Sequence, residues 1–153
     1  MRTRTFFTVI PIAEVPVYGS LQTPDGHCPA ILVVDDERII ADTLSQIFNR
    51  SGYAAVPAYS AAMALEMAAN VPPDLLITDV AMPGMSGVEL AITIKTLYPG
   101  CKIILFSGQA STVDLLASAR AAGHAFQTLS KPLHPAVMLN RVSELLPMRG
   151  LAV

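Results

Sequence analysis

The chain has 153 residues, which is one ordinary domain's worth and long enough to bury a core without disulfide staples. It is 52% hydrophobic and 14% charged, with a mean hydropathy of +0.50, a composition that excludes a disordered polymer. A net charge of −2 with scattered Lys and Arg argues against nucleic acid as the partner. Cys28 and Cys101 are too few for a disulfide framework and form no C-x-x-C pair, which is the usage of a reducing, cytoplasmic compartment.

Residues 1–28 read as a leader or arm of uncertain order, punctuated by Pro11, Pro16, Gly19, Pro24 and Gly26. They hold one short apolar stretch around Phe6–Ile12, with a candidate strand at Phe6–Ile10. Basic residues precede this stretch, but Pro11 and Glu14 interrupt it and no A-x-A-like site follows. Secretion is therefore not expected. No run approaches the roughly 18 apolar residues of a membrane helix.

From residue 29 the pattern becomes regular. Ala30–Val34 is a continuous β-branched run ending in Asp35-Asp36-Glu37. Ile39, Ile40, Leu44, Ile47 and Phe48 follow at helical spacing up to Ser51-Gly52. Tyr53–Pro57 is a weaker strand. Ser60 can cap a helix carrying Ala64, Leu65 and Ala68, which ends before Pro72-Pro73. Asp74–Thr78 is a strand closed by Asp79, and a loop with Met82-Pro83-Gly84 leads to a helix from about Ser86 to Leu97.

Lys102–Phe106 is a strand running into Ser107-Gly108. A helix from about Ser111 to Ala122 stops at Gly123, a residue suited to the position after a helix end. Phe126–Leu129 is a short strand, followed by Ser130-Lys131-Pro132. The last helix starts near Pro135 and stops before Pro147. Five apolar strands alternating with five helices specify an α/β unit with a parallel sheet, helices on both faces and right-handed crossovers. The expected organisation is a leader (1–28), one domain (29–147) and a short tail (148–153).

In an open parallel sheet, ligands bind beyond the carboxyl ends of the strands. Those ends carry Asp35 and Asp36, Asp79, Ser107 and, after the last strand, Lys131. Three crowded carboxylates repel, so one protonates or a cation joins them. Oxygen-only donors favour Mg2+. A lysine and a hydroxyl facing the same point suit phosphoryl transfer, with an aspartate as acceptor.

Asp35-Asp36 after an apolar strand, Asp79-Val-Ala-Met-Pro83 with Gly87, Ser107-Gly108 and Lys131-Pro132 together resemble a response-regulator receiver domain of two-component systems, of the chemotaxis-type single-domain kind. The resemblance covers about residues 29–147. It implies a doubly wound (βα)5 sandwich with the flavodoxin-like strand order 2-1-3-4-5. It also implies that Asp79 takes a phosphoryl group from the phosphohistidine of a sensor histidine kinase or a histidine phosphotransfer protein. Asp36, Asp79 and the Ala81 backbone carbonyl would hold Mg2+ directly, and Asp35 through water. Lys131 would pair with the phosphoryl group through a loop with a cis bond to Pro132, and Ser107 would be the switch hydroxyl.

By the same resemblance Gln109 and Ala81 flank the attacking water, which implies an intermediate to slow autodephosphorylation. The position three before the lysine, often aromatic in this family, is Thr128, with Phe126 two residues earlier. The segment Gly123–Lys131 is one residue longer than the common pattern, so a reshaped output face is expected. His124 and His134 read as structural or surface residues, since neither has a second ligand at metal spacing.

The expected protein is a cytoplasmic regulator, monomeric or weakly dimeric, that modifies only itself and signals to a partner protein through a two-state change near its last helices. Two other readings stay open. One is a small Mg2+-dependent phosphatase or phosphotransferase working through an aspartyl phosphate, although the D-x-D-x-T motif of the haloacid-dehalogenase class is absent. The other is a receiver-like binding module that signals without phosphate. The leader has no place in the receiver pattern and is expected to pack on the domain or on a partner chain.

Overall fold

In a computed structural model, residues 28–108, 112–132 and 134–147 are described. The candidate strand at Phe6–Ile10 lies outside them. The chain alternates β1 (Ala30–Val34), α1 (Arg38–Arg50), β2 (Ala54–Ala58), α2 (Ala61–Asn70), β3 (Leu75–Asp79), α3 (Gly87–Leu97), β4 (Lys102–Ser107), α4 (Thr112–Ala121), β5 (Gln127–Ser130) and α5 (Pro135–Leu145). All strand pairs are parallel, in the order β2-β1-β3-β4-β5. This is the flavodoxin-like α/β arrangement.

Alternation along the central strands divides the core into two layers. Leu32, Val34 and Leu76 face α2, α3 and α4, meeting Ala64, Ala68, Leu90 and Ile94. Ile31, Val33, Leu75, Ile77, Ile104 and Phe106 face α1 and α5, meeting Leu44, Phe48, Met138 and Val142. Every residue of β3 is buried, which explains why its sequence carries no polar alternation.

The outer strands depart from the expectation of two-sided burial. β2 exposes Ala54 and Val56, and none of the four residues of β5 is buried. Both occupy sheet edges, where one flank has no neighbouring strand to shield it. These two strands begin and end one residue later than the sequence reading, at Ala54–Ala58 and Gln127–Ser130, and so does the buried β3, at Leu75–Asp79.

Helix ends follow local chemistry. The Ser60 hydroxyl accepts from the Met63 N–H at 3.1 Å at the start of α2. Ser86 and Glu89 form a reciprocal capping box at α3: the Ser86 hydroxyl accepts from the Glu89 N–H at 3.2 Å, and the Glu89 carboxylate from the Ser86 N–H at 2.9 Å. α4 ends in a Schellman turn, with Gly123 at φ +98° and the His124 N–H bonded to the Ala119 carbonyl at 2.8 Å.

Candidate functional site

The site lies on the rim formed by the carboxyl ends of β1, β3, β4 and β5. Backbone bonds beyond the ladders fix its members. The Asp35 N–H donates to the Ala58 carbonyl at 3.1 Å, anchoring the end of β1 to β2. The Val80 N–H donates to Phe106 at 3.1 Å, so the chain leaves Asp79 in a set direction. The Lys131 N–H donates to the Ser107 carbonyl at 3.0 Å, which hangs the lysine from the end of β4. Asp79 stands opposite Phe106 in the register, and Ser107 opposite Ser130.

Asp35, Asp36 and Asp79 bring one carboxylate oxygen each to within 4.8 Å of one another. Asp35 is fully buried, Asp79 is 6% exposed and Asp36 is open to solvent. The Lys131 ammonium lies 3.4 Å from Asp79 Oδ2 and 3.7 Å from Asp35 Oδ2, and 5.2 Å from the centre of the Phe106 ring. The pocket holds about 350 Å3 and is lined by Asp36, Asp79, Ala81, Ser107, Gly108 and Lys131, with Glu37 at its edge.

Burial is the main electrostatic influence on both inner carboxyls. It raises Asp35 from 3.8 to about 6, helped by the Asp79 charge and opposed first by the Glu37 N–H, which donates to Asp35 Oδ1 at 2.9 Å. Asp79 is also raised by burial, with the nearby Lys131 ammonium pulling the other way. Asp35 Oδ2 has no hydrogen-bond partner despite its burial. A buried carboxylate oxygen that accepts no hydrogen bond, with the Lys131 ammonium at 3.7 Å and two further carboxylates nearby, is a place for added positive charge. The donors are all oxygen, so the site fits a hard divalent cation such as Mg2+.

Two features of the site have little sequence signal. Gly87 opens α3 so close to Asp79 that a Cβ there would meet the Asp79 carbonyl oxygen at 1.9 Å, inside any allowed contact. The other is a clamp beside β1. The Tyr59 hydroxyl donates to Asp42 Oδ1 at 2.5 Å, and the Arg38 guanidinium covers the Tyr59 ring at 4.2 Å. Arg38 and Asp42 sit one helical turn apart at the start of α1, just after the acidic pair. The clamp thus ties the Asp35-Asp36 loop to the segment leaving β2. The i, i+4 spacing of Arg38 and Asp42 was visible in the sequence, but Tyr59 reaches them only through the β2–β1 pairing.

Of the other residues read from the sequence, the Lys131–Pro132 peptide bond is cis. Thr128 is exposed on β5, and Phe126 is half-buried against the α2–α3–α4 side of the core, its ring stacked on His124 at 5.8 Å. His134 precedes α5 as an exposed residue and makes no side-chain cap. Gln109 lies outside the described residues. No helix among those described is long and apolar enough to cross a membrane.

A parallel five-stranded sheet with three carboxylates and a lysine at its carboxyl edge defines a class of signalling domain. The family model for the response regulator receiver domain matches residues 31–143, and the chain belongs to that family of two-component signalling proteins. It is 28% identical over 120 residues to sporulation initiation phosphotransferase F of Bacillus subtilis, covering 78% of this chain and 95% of that protein. It is 30% identical over 122 residues to the transcriptional regulatory protein PrrA of Mycobacterium tuberculosis, covering 80% of this chain and 52% of PrrA. Against the probable transcriptional regulatory protein TcrX of the same organism it is 28% identical over 130 residues, 85% of this chain and 55% of TcrX. The chain thus spans about half the length of these two regulators.

Among solved structures, a CheY-like receiver domain protein from Methanospirillum hungatei superposes with a TM-score of 0.69 at 32% identity, covering 76% of this chain and 92% of that one. The response regulator TrrA of Thermotoga maritima, solved in complex with Mg2+ and BeF, gives a TM-score of 0.67 at 32% identity, covering 77% of this chain and 99% of that one.

Proposed function

We propose that this receiver accepts a phosphoryl group on Asp79 from the phosphohistidine of a sensor histidine kinase or a histidine phosphotransfer protein. The observation that carries the reading is the placing of the Lys131 ammonium 3.4 Å from a buried Asp79 carboxylate, within a three-carboxylate cluster. In the transfer, an Asp79 oxygen forms the new P–O bond while the P–N bond breaks, and the bonding pair leaves on the imidazole nitrogen. Lys131 neutralises a phosphoryl oxygen, and the Ser107 hydroxyl hydrogen-bonds another once the group is in place.

Asp36, Asp79 and the Ala81 carbonyl would hold Mg2+ directly, with Asp35 acting through a bound water. The ion supplies charge neutralisation for the incoming phosphate. That a relative was solved with Mg2+ and BeF supports this assignment by analogy. Beside the pocket, an apolar groove of about 620 Å3 carries Ile39, Ile40, Thr43 and Ile47 of α1 and ends at Lys131 and Pro132. A donor protein seated there would bring its phosphohistidine to Asp79.

The domain, residues 29–147 on this reading, signals to a downstream protein and turns over no external substrate. The test is incubation of the purified chain with Mg2+ and acetyl phosphate, followed by intact mass. An adduct of about 80 Da (one phosphoryl group) that is absent from Asp79→Asn is expected. Steady release of phosphate from added esters would instead mark a phosphatase. No adduct and no response to a beryllofluoride mimic would mark a module that works without phosphate. If Ala81 and Gln109 take the water-flanking roles that the family resemblance implies, the adduct should outlast seconds.

A further inference from the structure

The apolar stretch Phe6–Ile12 has no role in the receiver chemistry, and the described residues of the domain form an apolar cleft. The cleft, of about 290 Å3, lies between α2 and the β1–β2 side of the sheet. Ala30, Leu32, Val56, Met67, Val71 and Pro73 line it. From the α2 side the cleft is bordered by the last turn of the helix, Met67 and Asn70, and by Val71 just after it. Val56 is 46% exposed and Val71 64% exposed at its mouth, and β2 is the outermost strand of the sheet.

We propose that the segment Phe6–Ile12 of the same chain seats its apolar side chains in this cleft. The occupant is argued from attachment and chemistry. Residues 1–27 join the domain at Cys28, two positions before Ala30, which is itself a cleft residue. The 17 residues between Ile12 and Ala30 give ample length for a return to their own point of attachment. The entropy of closing such a loop rises only slowly with length, and tethering holds the segment at high local concentration. Phe6, Phe7, Val9, Ile10 and Ile12 match an almost wholly apolar lining, and a cavity of this size accepts one or two such side chains. The larger groove on α1 is a poorer match, because Glu37 and Lys131 border it and it adjoins the phosphoacceptor.

The test uses the full-length chain with three variants: Phe6→Asp with Phe7→Asp, Val71→Asp alone, and all three together. A valine on a bare surface tolerates aspartate, so a cost at Val71 is informative in itself. The leader variant and Val71→Asp should each lower the thermal midpoint by about 5 °C, and the triple variant should fall no further than the larger of the two. Amide exchange over residues 54–58 and 67–73 should quicken in the leader variant.

An unchanged midpoint in the leader variant, or losses that simply add, would overturn the proposal. A midpoint shift that vanishes on dilution, with a dimer in sedimentation, would place the segment in a second copy's cleft and overturn it too. Adduct formation on Asp79 should be the same in all variants, so this result stands apart from that of the phosphorylation test.

Discussion

The two halves of the sheet are built to different standards. In the first, β1 and β3 are buried on both faces, and α3 alone contributes Gly87, Val88, Leu90, Ala91 and Ile94 to the buried interior. In the second, β5 has no buried residue, and among the described residues of α4 only Ala119 is buried. The acidic cluster stands on the first half, whereas Lys131 follows β5. On the proposed reading, a site divided this way would fix the groups that hold a cation and leave the lysine that meets the phosphoryl group on the less buried side. Phosphorylation would then draw Lys131 inward and bias the loosely packed half, which is how a local charge becomes a change of surface.

The largest predicted contrast uses two glycines, one from each half. At Gly87 an added Cβ would overlap the Asp79 carbonyl, which is backbone and cannot swing aside. Gly87→Ala should therefore cost more than about 3 kcal/mol in urea unfolding and abolish the Asp79 adduct. At Gly108 the same Cβ would meet only the Lys131 Cβ, at 3.1 Å. Gly108→Ala should cost less than about 1 kcal/mol, since at 3.1 Å the loop carrying Lys131, on the less buried half, need give by only a few tenths of an ångström. Equal costs would remove the contrast.

The second contrast is electrostatic. An Asp35 carboxyl that ionises near 3.8 unfolded and near 6 folded keeps its proton longer in the folded state. Without a divalent cation, stability should thus fall as pH rises from about 4 to about 6. It should remain lower above that by on the order of 3 kcal/mol. Asp35→Asn, which keeps an oxygen for the Glu37 N–H, should flatten this slope. Millimolar Mg2+ should reverse it in the parent chain, because the ion favours the ionised carboxylates. Unfolding midpoints at pH 4.5 and 7, with and without Mg2+, decide the matter. A flat profile in the parent would mean that the buried anion is solvated after all.

Burial, rather than the side of the sheet, governs what could be read from sequence. The buried strands announce themselves as unbroken runs such as Ile31–Val34 and Leu75–Ile77, and an Asp beyond each, Asp35 directly and Asp79 after Thr78, marks the rim. The family resemblance then supplied the strand order, because periodicity says which segments are strands and not how they are ordered. The exposed edges were the least legible. β2 with its Pro57 and β5 as Gln-Thr-Leu-Ser have little apolar signal, although the one-residue offset of their bounds is shared by the buried β3, read as Asp74–Thr78 and found at Leu75–Asp79. Contacts that depend on sheet pairing, such as Tyr59 with Asp42 and Arg38, had no linear signature. The closeness of Gly87 to Asp79 lay in a quoted motif, yet its reason, a backbone approach, needed coordinates.

The smallest predicted effect on stability falls on the loose half, where it tests function most directly. Val113 and Leu115 of α4 are 61% and 39% exposed, and Val137 of α5 is 51% exposed, so this thinly packed region presents apolar side chains to solvent. Leu115→Gln and Val137→Gln should each change stability by no more than about 0.5 kcal/mol, since neither removes a core contact. The Asp79 adduct should form at the parent rate, because neither residue lines the phosphoacceptor pocket. Capture of the downstream protein by the beryllofluoride-treated domain should nevertheless be lost. If these side chains instead support the core, the substitutions will lower the unfolding midpoint by several degrees. The firm and yielding halves would then differ in exposure but not in purpose.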